Sequence, residues 1–313
     1  MSHPGASAPP GRVPPAPRCR WAPLARFALA LPARLPQPAL LAFGRALAWP
    51  ARLLRRRWQV ARVNIALCFP EWPLAERSAL LAAHRQSLCV AVLELLRAWF
   101  APSAALRGLF DVEGLEHLRD AEASGEGVLL LTGHLMHTEL ATRFIAEALG
   151  RPVGGVVRRY DRHPCFEALL DGARRARLGP TVSKFDTRGM VRHLRAGGRL
   201  AYSADQDFRS GQVFVPFFGV LAATFAGVPQ LLRAGRARLL FLSMVRAPDG
   251  RYRVRIAPTG LADCLDDAEG FTAGYMALLE QAVREAPDQY LWVHRRFKTR
   301  PENDAGSAPL YDS

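Results

Sequence analysis

The residues best suited to chemistry are His134 and Glu139, within the stretch VLLLTGHLMHTEL from Val128 to Leu140. Imidazole gains and loses a proton near neutrality, and a carboxylate on one ring nitrogen fixes the tautomer and leaves the other nitrogen to accept a proton. Five residue steps turn about 140° around a helix, so the pair cannot share one face of a regular helix. They can meet if His134 lies in a turn and Glu139 reaches back from the first turn of the next helix. There the positive end of the helix dipole also favours the carboxylate. Such a pair is the base and orienter of a triad. No protein nucleophile accompanies it: there is no G-x-S-x-G elbow and no Cys or Ser beside the turn. That combination suits a reaction in which the substrate's own hydroxyl attacks, as in acyl transfer from a thioester to an alcohol. H-x4-E is a weak pattern by itself, and the residues alone equally allow a buried histidine beside a helix-start carboxylate. His137 makes H-x-x-H with His134, but no third ligand is apparent, so no metal is expected.

A strand and a helix must position this pair. Val128 to Leu131 is an apolar run of strand length, Thr132 and Gly133 break it, and a helical pattern starts at Thr138. A strand that hands over to a helix places the intervening side chains at the carboxyl edge of a sheet, where α/β proteins commonly hold ligands. The rhythm repeats. A strand over Val153–Arg158 ends in Arg158, Arg159 and Tyr160, and a helix covers His163–Arg177. A short extended piece follows at Thr181–Ser183, then a helix over Thr187–Ala196 with a glycine stop. A strand over Leu200–Ser203 runs into Ala204, Asp205, Gln206 and Asp207. Three strand ends thus deliver His134, Arg159 and Asp205. This alternation predicts an α/β fold, a central and mostly parallel sheet flanked by helices.

Leu74–Phe100 has the apolar stripe of a long core helix, followed by a short strand at Leu109–Glu113 and a helix at Leu115–Ala123. Downstream, VFVPFFG (Val213–Gly219) is a poor central strand because of Pro216. A helix is expected over Ala222–Ala234, then a hairpin of Leu239–Arg246 and Tyr252–Ala257, then a helix over Asp267–Ala286. Arg295, Arg296, Lys298 and Arg300 close the chain as a solvated basic tail or a phosphate-binding cluster.

The 313 residues are 50% hydrophobic, enough for a full core, and 42 Lys+Arg against 28 Asp+Glu leave a formal charge of +14. That surplus implies an anionic partner: nucleic acid, a membrane face or a phosphorylated substrate. Cys19, Cys68, Cys89, Cys165 and Cys264 are scattered and odd in number, which indicates neither a zinc site nor a disulfide framework and suggests a reducing compartment. Residues 1–20 read as a disordered tail. Residues 21–57 are apolar but interrupted by Pro and Arg, too broken for a confident spanning helix. They end in Arg52, Arg55, Arg56 and Arg57, the pattern of a segment lying on an anionic leaflet. Residues 58–303 form the main domain and 304–313 a flexible tail.

Six blocks in order carry a resemblance. They are RRRWQVARVNIALCFPE (Arg55–Glu71), LLLTGHLMHTEL (Leu129–Leu140), VRRYDRHP (Val157–Pro164), YSADQD (Tyr202–Asp207), VFVPFFGVLAAT (Val213–Thr224) and APDQYLWVHRRFKTRPE (Ala286–Glu302). Together they resemble the late acyltransferases of lipid A biosynthesis, the lauroyl/myristoyl family within the lysophospholipid acyltransferase superfamily. The resemblance implies an enzyme on the cytoplasmic face of the bacterial inner membrane, without a cofactor. Its donor would be acyl–acyl carrier protein and its acceptor a Kdo-bearing lipid A precursor. It makes His134 the catalytic histidine and Glu139 its acidic partner. Arg159, Asp205, Asp207, Phe218 and Gly219 match substrate-binding blocks. A sister enzyme acting on a lysophospholipid or another glycolipid would use the same pair. A nucleic-acid-binding role has only the net charge in its favour, and no recognition motif supports it.

Overall fold

The apolar run before His134 becomes the middle of a sheet. The computed structural model describes residues 19–157, 162–208, 211–301 and 310–311. In chain order its elements begin with α1 (Ala22–Ala33), α2 (Gln37–Ala51), α3 (Arg55–Cys68) and α4 (Leu74–Phe100). Next come β1 (Phe110–Glu113), α5 (Leu115–Ala123), β2 (Gly127–Thr132), α6 (Thr138–Leu149), β3 (Gly154–Val157) and α7 (Pro164–Arg177). The order continues with β4 (Thr181–Ser183), α8 (Thr187–Arg195), β5 (Arg199–Ser203), β6 (Gln212–Phe217), β7 (Val220–Phe225) and α9 (Val228–Gly235). It ends with β8 (Ala237–Arg246), β9 (Tyr252–Pro258) and α10 (Ala268–Glu285).

The main sheet has the order β1-β9-β8-β2-β5-β3-β4. The five strands from β8 to β4 run parallel, β9 is antiparallel to β8, and β1 follows β9. All six β2 residues are buried. Leu129 and Leu131 pack into a cluster shared with α3, α8, α9 and α10, while Val128 and Leu130 pack with α4, α5 and α6. Helices on both faces leave the strand no wet side, so its sequence reads as a continuous apolar run instead of an alternation. Burial of each leucine is worth about 1.5–3 kcal/mol. The expected α/β architecture is therefore present.

Two expectations change. Ala222–Ala234 is not one helix: β6 and β7 form a separate antiparallel hairpin, and α9 starts only at Val228. Phe218 and Gly219 form its two-residue turn, with φ of 52° and 75°. Positive φ at both central positions matches the right-handed strand twist, and that closes the hairpin where propensity reads a helix. The second change is a disulfide between Cys19 and Cys165, 146 residues apart, where no pairing was expected. No spacing pattern could reveal it, because tertiary folding alone brings the ends of that loop together.

The N-terminal helices lie on α4. Leu40 and Leu41 meet Val90 and Leu93, and Gly44 permits the approach, since a Cβ there would sit 2.7 Å from the Val90 backbone. The outer side of α1 and α2 exposes Trp21, Leu24, Phe27, Leu31, Phe43 and Trp49. α4 is long and apolar enough to cross a membrane, but it packs against α1, α2, α3, α6 and α7.

Candidate active site

Register brings the central residues together. β2 and β5 are neighbours, with Thr132 opposite Ser203. Two residues further along each chain stand His134 and Asp205. The Tyr275 hydroxyl donates to the Thr132 carbonyl (2.6 Å) and accepts from the Ala204 N–H (3.3 Å), joining the two strand ends. Gly133 is pressed against α10: a Cβ there would stand 2.2 Å from Leu279 Cδ1.

The carboxylate on His134 is that of Asp205. His134 Nδ1 lies 2.6 Å from Asp205 Oδ1, and the His134 backbone N–H donates to the same carboxylate at 3.0 and 3.1 Å. The Tyr290 hydroxyl donates to Oδ2 at 2.9 Å. Asp205 is wholly buried, whereas the His134 side chain is 32% exposed and lines the cavity beyond. Burial alone would raise the Asp205 carboxyl. The charge and hydrogen bonds of His134, with Arg296 adding, hold it well below the usual carboxylate range. Burial and the Asp205 charge together push the Tyr290 phenol well above its ordinary value, so it remains a donor. With Nδ1 engaged, Nε2 is the ring nitrogen left to face a substrate.

Glu139 lines the same cavity but does not bond His134. Arg174 of α7 grips it with two parallel bonds, Nε to Oε2 at 3.0 Å and Nη2 to Oε1 at 2.9 Å, and Trp99 Nε1 also donates to Oε2. The Arg174 guanidinium lies over the Trp99 ring at 4.9 Å. This bidentate, stacked geometry fixes a planar cation in place. The expected reach of Glu139 back to the imidazole is thus replaced by a longer-range partner. The helix starts at Thr138 and directs Glu139 toward α7, while the neighbouring strand supplies Asp205.

The turn itself is held from behind. Leu135 makes an antiparallel bridge with Tyr290, Met136 N–H donates to the Gln289 carbonyl, and Leu291 N–H donates to the His134 carbonyl. His137 is buried with both ring nitrogens engaged, Nδ1 by Glu94 (2.6 Å) and Nε2 by Gln289 (2.9 Å). Among the described residues no group of three His, Cys, Asp or Glu is placed to hold a metal ion. Arg296 is also buried, donating to the Ala223 carbonyl and to Thr224, so this member of the terminal basic cluster is a structural staple.

The cavity encloses about 390 Å³. Leu95, Val156, Leu178, Phe208 and Phe225 give it an apolar wall, and among the described residues Lys184 and Arg174 are the Lys and Arg side chains that line it. Asp207 lines it too and accepts from the Thr299 N–H at 2.9 Å. Phe218 and Gly219 do not: Phe218 packs on Phe69 and Trp292 in the hairpin turn. Arg159 lies outside the described residues. Sequence reasoning missed Arg174, Trp99 and Tyr290. Tyr290 stood within one of the six quoted blocks, whereas nothing local marked the other two.

The histidine–carboxylate pair stands at the carboxyl edge of a mostly parallel sheet and opens on an apolar-walled cavity, the place where α/β proteins hold their ligands. Comparison with known proteins gives the class. Residues 17–299 match the bacterial lipid A biosynthesis acyltransferase family. The chain is 36% identical over 283 residues to the lipid A biosynthesis palmitoleoyltransferase of Escherichia coli K12, covering 89% of this chain and 90% of that protein. It is 34% identical over 273 residues to the lauroyltransferase of the same organism, covering 86% and 88%. With the myristoyltransferase it shares 26% identity over 274 residues. The chain belongs to the bacterial lipid A biosynthesis acyltransferase family and is an acyltransferase.

Proposed function

We propose that this enzyme moves a fatty acyl chain from an acyl–acyl carrier protein thioester to a hydroxyl of a Kdo-bearing lipid A precursor, on the cytoplasmic face of the inner membrane. The observation that carries the reading is the His134 imidazole, fixed at Nδ1 by buried Asp205 and open at Nε2 to an apolar-walled cavity. Nε2 takes the proton of the attacking hydroxyl as its oxygen adds to the thioester carbonyl. Collapse of the tetrahedral intermediate breaks the C–S bond, and the imidazolium returns the proton to the departing sulfur. Asp205 stabilises that cation and holds the tautomer. A positioned base supplies about 10²–10⁴-fold; alignment of two lipid-bearing substrates supplies much of the remainder.

Glu139 acts in this scheme through Arg174, which it holds on the cavity wall to meet acceptor phosphate or the developing oxyanion. Arg159 and Asp207 retain the substrate-binding roles implied by the family resemblance. Phe218 would contribute by packing on Phe69 and Trp292, and Gly219 by closing the hairpin turn at positive φ. Membrane association is supported by the apolar outer side of α1 and α2 and by the arginines that follow it.

Mass spectrometry of lipid A from a deletion strain, complemented with wild type or His134→Ala, tests the reading. Loss of one secondary acyl chain, restored by wild type and not by His134→Ala, is the expected result. Unchanged lipid A with an altered phospholipid or other glycolipid would move the acceptor to the sister class. Full complementation by His134→Ala would remove the base.

A further inference from the structure

A second concavity lies outside the catalytic cleft. Arg52, Arg55, Arg56, Arg62 and Arg85 converge with Trp58 around a cavity of about 530 Å³. Several arginines elsewhere meet a carboxylate: Arg174 with Glu139, Arg246 with Glu94, Arg238 with Glu126. None of these five meets a carboxylate among the described residues; Arg62 reaches only Gln59, at 3.4 Å. Arg85 bears the cost of the crowding. Burial first, and the charge of Arg52 second, push its guanidinium below its ordinary value, and its Nε is buried without a hydrogen bond. It lies over the Trp58 ring at 5.5 Å, and that buried ring is fixed by a 2.6 Å bond from Nε1 to the Ala51 carbonyl. One wall of the basin is therefore rigid.

The local helix adds to the imbalance. The first turn of α3 holds Arg55, Arg56 and Arg57, no acidic residue, and no side-chain cap at Leu54. Cations at the positive end of a helix dipole are unfavourable for the helix alone. They are favourable once an anion sits there. Guanidinium forks match phosphate oxygens two at a time. Beside the basin Trp49, Leu53 and Leu54 are 74%, 79% and 58% exposed. A lipid satisfies both features, because its phosphate meets the arginines while its chains bury the apolar side chains. An acidic protein surface satisfies only the first.

We propose that the basin of Arg52, Arg55, Arg56, Arg62 and Arg85 is a headgroup-phosphate pocket for an anionic membrane phospholipid, separate from the acyl-acceptor site. It rests on the membrane-surface part of the proposed function and not on the identity of the acceptor. Its consequence is geometric. Arg85 and Leu95, which lines the catalytic cavity, are both on α4, 95 − 85 = 10 residues apart, or about 15 Å along the helix. A phosphate seated at Arg85 would set the height of the catalytic mouth above the leaflet.

Flotation of the full chain with phosphatidylcholine vesicles, with and without phosphatidylglycerol, tests this. Arg55→Lys/Arg85→Lys keeps the net charge but removes the forks. Arg188→Lys/Arg192→Lys makes the same change on α8. The pocket requires the first variant to lose about tenfold in partition to phosphatidylglycerol vesicles, the loss of a bidentate contact, while the α8 variant stays near wild type. If the Arg85 change disturbs folding by circular dichroism, Arg56→Lys/Arg62→Lys at exposed positions replaces it with the same expectation. Equal partition by all variants, or equal losses in both, would mean diffuse charge and overturn the pocket. Two other results would also overturn it. One is saturable binding of inorganic phosphate with no preference for phosphatidylglycerol. The other is a basin variant that loses affinity for an acidic carrier protein while its vesicle binding is unchanged.

Discussion

In the proposed mechanism the His134 ring acquires a positive charge during transfer. Buried Asp205 lies against Nδ1, where it would stabilise that charge, and Tyr290 donates to the same carboxylate. Tyr290→Phe removes one neutral-to-charged hydrogen bond from Asp205, worth about 1.5–3 kcal/mol where it is fully buried. We expect a fall of about tenfold or more in the rate of transfer with little change in acceptor KM, read by steady-state kinetics. Glu139 and Arg174 form a different unit. Because each removes the other's bidentate ionic contact, Glu139→Ala and Arg174→Ala should each cost most of the activity that the double variant loses. A double-mutant cycle with clear non-additivity checks the coupling, and simple additivity would show that Glu139 acts independently of Arg174. The sequence exposed His134 and Glu139 as reactive types, and it also placed Asp205 at a strand end. It could not say which carboxylate meets the ring, because that depends on β5 lying beside β2, a matter of strand order and not of spacing.

At the scale of elements, the site is a turn clamped between α10 and the 289–291 segment. Gly133 has no room for a Cβ beside Leu279. Gly133→Ala should force the buried Leu279 side chain, the turn or the helix to shift, costing about 1–3 kcal/mol, and should lower transfer more than stability alone explains. Urea unfolding alongside activity per folded molecule separates the two effects. The strand–helix rhythm from β2 to β5 was legible because buried parallel strands and amphipathic helices have distinct periods. β7 was not. Its run VLAATF is as compatible with a helix as with a strand, and the turn before it uses Phe218 at positive φ instead of an Asn-Gly signal. The buried pairs Glu94–His137 and Glu94–Arg246 join residues far apart in the chain, so no local window contained them.

For the whole molecule, acid stability follows from two histidines. Burial holds His84 and His294 at about 4, below an ordinary 6.5. A folded value below the unfolded one means that the unfolded chain binds more protons between those values. Stability is then full above about pH 6.5 and is lost as pH falls toward about 4. Between pH 7 and pH 5 each histidine should remove about 2 kcal/mol, measurable by urea unfolding, and His84→Gln should remove its share of that slope. Location makes a separate demand on Cys19 and Cys165. The disulfide they form is the state of an oxidising compartment, whereas the proposed cytoplasmic face would hold them as thiols; on that face, alkylation of intact cells before lysis should label both. A pair protected until reduction would place α1 in an oxidising compartment and count against the cytoplasmic face.

The central claim is that Asp205 makes His134 a base. Its most direct test is single-turnover transfer of a labelled acyl chain from acyl carrier protein to a lipid A precursor by Asp205→Asn, at matched folding and membrane binding. A loss of about 10²–10⁴-fold, with Glu139 intact, is the expected result. Transfer within about threefold of wild type would contradict the claim and return the orienting role to another residue.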